Sequence, residues 1–353
     1  VKRNSLPPAN RTRAPAAAAR NDNPVGKAKL VRPRDILSWK FLFYYVLLPA
    51  LRLLGPATCD AVLSGLGRAV GALWLPRRWA HIAALRRVRH ALGADWSPEA
   101  LRPELAAATA RYLARDYPLD GIKGATLGDR FEVEGFEALQ AALERKQGAI
   151  VVGSHLGGHI AGLHALFRLG VPLRLLVQRP GHVSAELNRQ FDRSDVPYPQ
   201  SGFFVRRALS PVMAVERILR ARSALRDGLA VYLTADIPWD GPNSRPARLL
   251  GQTHRFLSVW TDLAVQTRVP VFLVFCNHRG GGRYALTIDP PWMLRRGDEP
   301  AAVVRYFDRL ERVIAADPTD AVAHLLWPCY GPPARHAIPA HRPGRRVAAV
   351  PHL

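Results

Sequence analysis

The spacing of apolar residues along this chain changes near Phe131, and the change divides it into two textures. Before that point apolar positions recur at helical intervals. An apolar run at 41–51 lies between Lys40 and Arg52 with Pro49 inside it, and Gly55-Pro56 separates it from a second apolar helix reaching residue 75. Pro76-Arg77-Arg78 opens a third helix with the stripe Ile82, Leu85, Val88 and Leu92, edged by Arg86, Arg87 and Arg89. Such a helix suits either a lipid interface or the surface of a core. A turn at 95–99 then starts an Ala-rich helix ending at about Arg115.

After Phe131 the pattern becomes short, unbroken apolar runs at 149–152, 173–177, 229–234 and 269–275, with a fifth, more alternating run at 284–288. Helical patterns lie between and after them, at 160–169, 184–192, 212–226, 256–266 and 301–315. Buried strands alternating with helices predict an α/β fold, with a mostly parallel central sheet flanked by helices. Gly280-Gly281-Gly282 predicts a tight hairpin and hence one antiparallel pair. The expected organisation is a basic disordered tail (1–36), a helical membrane-associating region (37–130), an α/β domain (131–331) and a second disordered tail (332–353).

Charge changes this picture. Fifty Lys and Arg against 28 Asp and Glu give a net +22, and nine of the basic residues fall within 1–36. That field favours anionic partners: a lipid surface, phosphorylated substrates or nucleic acid. Nucleic-acid binding would rest on charge alone, since no basic–aromatic recognition element accompanies it. The aromatics Trp39, Phe41, Phe43, Tyr44 and Tyr45 suit the headgroup level of a bilayer. The first apolar run begins too late for an ordinary signal peptide and is too short to span a membrane. Three dispersed cysteines, Cys59, Cys276 and Cys329, imply no disulfide framework.

The candidate chemistry lies at 148–162, GAIVVGSHLGGHIAG. His155 stands at the carboxyl end of a buried strand, where open α/β sheets place their ligand crevice, and histidine is the usual general base near neutral pH. The stretch is not a Gly-x-Ser-x-Gly nucleophile elbow. His159 and His164 lack the spacing and the acidic companion of a zinc site, so no metal is expected. A formal His-x4-Asp at His90 and Asp95 has no strand end to present it, and we reject it.

Several blocks in order resemble the late (lauroyl/myristoyl) acyltransferases of lipid A biosynthesis, within the lysophospholipid acyltransferase superfamily. They are RRWAHIAALRRVRHALGADWSPEAL (77–101), FEVEGFEALQAALERKQGAIVVGSHLGG (131–158), LVQRPG (176–181), ALRDGLAVYLTADIPWDG (224–241) and VPVFLVFCNHRGGGRYALTIDPP (269–291). The resemblance implies fatty acyl transfer from acyl carrier protein or acyl-CoA to a hydroxyl of a glycolipid or phospholipid, at the cytoplasmic face of a bacterial inner membrane. No cofactor is implied beyond the acyl thioester co-substrate. His155 falls on the family's catalytic histidine. Asp236 and Arg179 would line the site, Arg179 meeting a phosphate, and the amides of Gly157 and Gly158 would hold the oxyanion.

The family's acid, five positions after the histidine, falls here on Ile160. Three readings follow. A carboxylate comes from elsewhere, such as Asp236 or Asp240; or the turn is shifted and His159 takes part; or catalysis is lost and the fold binds lipid or a partner.

Overall fold

The computed structural model describes residues 39–122, 128–205 and 210–330; both expected tails lie outside these. Helix α1 comprises Trp39–Phe41, a wider π-type stretch Leu42–Leu47, and Leu48–Arg52. It is followed by α2 (Pro56–Leu73), α3 (Leu75–Leu92) and α4 (Pro98–Ala114). The α/β part begins with β1 (Phe131–Glu134), α5 (Phe136–Glu144), β2 (Ala149–Gly153), α6 (His159–Arg168), β3 (Leu173–Leu175) and α7 (Ala185–Asp192). It continues with α8 (Pro211–Arg226), β4 (Ala230–Thr234), β5 (Ser244–Leu249), β6 (Gln252–Leu257), α9 (Val259–Thr267), β7 (Val271–Gly280) and β8 (Arg283–Ile288). Last come α10 (Glu299–Ala316) and the short α11 (Val322–Leu326).

Six strands form one sheet in the order β1-β8-β7-β2-β4-β3, every pairing parallel except β7 with β8. The central strands are apolar on both sides because both faces are covered. Ile150, Val152, Val231, Leu233, Val271 and Leu273 face a core shared with α3, α4 and α8 to α11. Their neighbours Ala149, Val151, Ala230, Tyr232, Phe272 and Val274 face a second core beneath α5, α6 and α7. The expected α/β architecture is therefore present, and the glycine hairpin with it. Gly281 and Gly282, at φ 61° and 66°, form the two-residue turn between Gly280 and its partner Arg283.

Some expected bounds move. The strand expected at 269–275 runs on to Gly280, because Asn277 and His278 continue the ladder opposite Ala285 and Tyr284. The helix expected at 256–266 begins at Val259, since Phe256 and Leu257 belong to β6. The hairpin β5–β6 was not anticipated. It turns through Leu250 and Gly251, both at positive φ, and leans on α10 through a bond from Leu250 N to Glu311. The edge strand β1 and helix α5 were not anticipated either.

The N-terminal helices pack on this body. Ile82, Leu85 and Val88 of α3 are buried, the last two among the sheet's own core residues, so that stripe covers protein rather than lipid. Helix α2 approaches α4 closely at Gly67 and Gly71, where an added Cβ would collide with Ala106. The far side of this layer is apolar and open to solvent: Trp39, Leu42, Tyr45, Val46, Leu53, Leu54, Leu66, Leu73, Trp74 and Trp79 are all exposed. Among the described residues no helix is long and apolar enough to cross a membrane.

Candidate active site

Strands β2 and β4 are parallel neighbours, and their last paired residues are Gly153 and Thr234. Two residues beyond each strand end stand His155 and Asp236. Asp236 Oδ2 accepts from the backbone N–H of His155 at 2.6 Å, and Oδ1 lies 2.8 Å from the ring nitrogen Nδ1 of the same residue. Both oxygens of one carboxylate thus fix the backbone and the imidazole of one histidine. Asp236 is fully buried, while the His155 side chain keeps 15% of its surface open.

A second histidine shares the acid. His324, on α11 and also fully buried, places Nε2 2.9 Å from Asp236 Oδ2. Arg87 of α3 holds α11 there by donating to the carbonyls of His324 and Leu325 at 3.2 and 3.0 Å. Burial alone would raise the Asp236 carboxyl, but the charge and hydrogen bond of His155, reinforced by His324, outweigh it and hold the group well below the usual carboxylate range. An ionised carboxylate only accepts, so both imidazoles carry their proton on the nitrogen facing Asp236. For His155 this leaves Nε2 as the basic lone pair, and no described residue bonds to it. For His324 it leaves Nδ1 buried and without a partner among the described residues.

The rings of His159 and Trp327 flank His155, with centroids 5.2 and 5.5 Å away. His159 donates from Nδ1 to the carbonyl of Leu156 at 2.7 Å. Burial, then the charges of His155 and Arg115, push its pKa down to about 3, so it is a neutral wall of the site. Tyr112 stands behind it, 5.3 Å between centroids. Tyr306 donates to the Gly153 carbonyl at 2.8 Å and fixes the end of β2.

Other expected site residues stand differently. The Gly157 amide donates to Asp320 O at 2.8 Å and the Gly158 amide to Cys276 O at 3.1 Å, so neither is directed at an oxyanion. These glycines serve close packing instead: a Cβ on Gly157 would collide with the Asp320 carboxylate, and one on Gly158 would come within 2.8 Å of Cys276 O. Arg179 is held in a fork by Asp192 at 2.7 and 3.1 Å, with Asn188 at 3.1 Å, and is not brought to His155. That pair is half exposed and contributes about 0–1 kcal/mol. Ile160 is buried in the second core. His164 pairs with Asp116 at 3.1 Å inside the fold. Among the described residues no group of three or more His, Cys, Asp or Glu side chains has the geometry to hold a metal ion.

His324, Trp327 and Asp320 did not emerge from the sequence. Asp320 lies on a 3-10 turn (Pro318–Asp320), His324 on a five-residue helix and Trp327 at that helix's end, all beyond the last periodic pattern and too short to carry a signal of their own. The arrangement can take a proton at His155 Nε2 and stabilise the resulting imidazolium with a buried carboxylate, the division of labour of a His–Asp pair. In comparisons with known families and with curated proteins, no family model and no curated protein matches the chain.

Proposed function

We propose that the chain is a membrane-associated acyltransferase that moves a fatty acyl group from an acyl thioester, on acyl carrier protein or coenzyme A, to a hydroxyl of a glycolipid or phospholipid. The observation that carries this is the grip of buried Asp236 on His155, with the opposite nitrogen left open. His155 Nε2 takes the hydroxyl proton as the oxygen attacks the thioester carbonyl. Collapse of the tetrahedral intermediate breaks the carbon–sulfur bond, and the departing thiolate takes the proton back from the imidazolium. Asp236 remains ionised and balances the imidazolium charge. No cofactor enters this scheme, and the thioester is the co-substrate.

The binding-only alternative was drawn from the missing acid at Ile160. Asp236 occupies the role that Ile160 cannot, which favours the catalytic reading over that alternative. The apolar outer face of α1 and α2, with Arg77 and Arg78 beside Trp74 and Trp79, supports association with an anionic bilayer, and the inner membrane's cytoplasmic face is the surface we assign. Lipid mass spectrometry of cells carrying wild type, His155→Ala or no protein tests the proposal. An acylated lipid seen only with wild type supports it, and identical profiles from folded, membrane-bound proteins overturn it.

A further inference from the structure

Trp327 follows α11 directly, its backbone N–H donating to the Ala323 carbonyl at 2.9 Å. The two bonds from Arg87 to the carbonyls of His324 and Leu325 hold that helix in place. The half-buried indole packs on the first core, and its ring stands 5.5 Å from the His155 ring between centroids, tilted at 51°. It also meets Tyr112 of α4, nearly perpendicular at 86° and 6.3 Å away. Tyr112 in turn meets His159 at 5.3 Å, and His159 meets His155 at 5.2 Å. Four rings therefore close a circuit, His155–His159–Tyr112–Trp327, with the base as one member.

Only one member of this circuit gains a charge in the reaction proposed above. When Nε2 accepts the hydroxyl proton, His155 becomes a cation until the departing thiolate removes that proton. Among the described residues Asp236 is the charged group hydrogen-bonded to His155, and it occupies the Nδ1 edge of the ring. His324 reaches the ring only through that carboxylate. His159, on α6, is kept neutral chiefly by burial, and burial likewise keeps the Tyr112 phenol protonated. An indole is the strongest aromatic partner for a cation, effective within about 6 Å of its centroid and more so where water is excluded. Trp327 stands within that distance of the imidazole, whose side chain keeps only 15% of its surface open.

We infer that Trp327 is a positioning residue for the base: its indole braces the His155 ring and stabilises the imidazolium through its π system. Asp236 and Trp327 then share the balancing of that charge. The inference deepens the acyltransferase reading and rests on it for the step at which the charge appears. The ring interaction itself can be measured without turnover.

The test replaces Trp327 in the full chain with mono-, di- and trifluorotryptophan. These analogues keep the shape of the indole and withdraw electron density from its face step by step. Two quantities are read: kcat for transfer from labelled acyl carrier protein, and the midpoint of the His155 titration by NMR. Both are expected to fall progressively with fluorination, kcat by about tenfold over the series with KM little changed, and the midpoint towards lower pH. A fourth replacement, 3-benzothienylalanine, keeps the aromatic face and lacks the N–H, and should fall less than the trifluoro analogue. A larger fall there would make the N–H the acting group and overturn the inference. A flat response of either quantity across the fluorinated series also overturns it. Absence of acyl transfer by wild type, with the stepwise titration shifts intact, would remove the acyltransferase reading and leave the ring interaction standing.

Discussion

Asp236 stands beside His155 because the parallel register of β2 and β4 continues past both strand ends. Ala149 pairs with Ala230 and Gly153 with Thr234, an offset of 81 positions, and 81 positions also separate His155 from Asp236. Where a ladder bond would follow, the aspartate side chain takes the His155 amide instead. The acid therefore reaches the histidine across the sheet, from the end of the neighbouring strand.

His324 adds a second donor to that carboxylate, and its removal should be visible in pH dependence. A carboxylate that loses a hydrogen bond to its charged form has its pKa raised. With that donor gone the carboxylate's charge falls on His155 alone and favours its imidazolium, so the acid limb of the rate profile of His324→Leu should move to higher pH. His324→Gln, which can still donate to Asp236, should move it less. Rates across pH 4–8 for the three proteins check this.

Asp320 works in the opposite sense. Burial, then the charge of Asp317, raise its pKa from 3.8 to about 6, against the bonds it accepts from Asn277 and the His278 amide. Between those values the folded state binds more protons than the unfolded chain, so this group's contribution to stability falls as pH rises from about 4 through 6. The full cost at neutral pH is about 3 kcal/mol. Asp320→Asn should flatten that part of the stability curve, measured by denaturant unfolding at several pH values.

His81, buried between α2 and α4, has no hydrogen-bond partner among the described residues on either ring nitrogen. Burial and the charges of Arg77 and Arg102 lower its pKa to about 4. The unfolded chain protonates this ring below about 6.5 while the folded chain does not, so stability is lost as pH falls from there toward 4. His81→Leu should remove that loss. It should also raise the melting temperature at neutral pH, because an unsatisfied buried polar group costs about 1–3 kcal/mol.

How much of this was legible follows the range of each signal. The short apolar runs announced their strands because burial on both faces leaves few polar positions, and the more alternating run at 284–288 was legible from the glycine turn before it. The hairpin β5–β6 was hidden by Arg245, Pro246, Arg248 and Arg255, which read as a polar loop, and only Gly251 marked its turn. His155 was legible from its strand end and glycine turn. Asp236 was legible as a strand-end acid, but its bond to His155 depends on the β2–β4 register, which a single chain does not display. The α3 stripe fits lipid and protein equally well, and only the packing of Leu85 and Val88 decides between them.

The apolar face of the N-terminal layer yields a separate prediction. Trp74→Ser with Trp79→Ser should lower partition onto anionic phosphatidylglycerol vesicles by about tenfold or more, given what two half-exposed indoles contribute. Because both rings face solvent, the melting temperature should change little. Co-sedimentation together with thermal unfolding measures both.

The central claim is that His155 and Asp236 together supply the base for acyl transfer. It is tested most directly by the rate of acyl transfer from labelled acyl carrier protein to membrane lipid by four purified proteins: wild type, His155→Ala, Asp236→Asn and Ile160→Glu. Wild type should turn over, and His155→Ala should lose activity. Asp236→Asn should fall by about three orders of magnitude, because it holds the imidazole in the wrong tautomer. Ile160→Glu should gain nothing and lose stability, since it places an acid in the core. Equal rates from wild type and Asp236→Asn, or faster transfer by Ile160→Glu, would contradict the account.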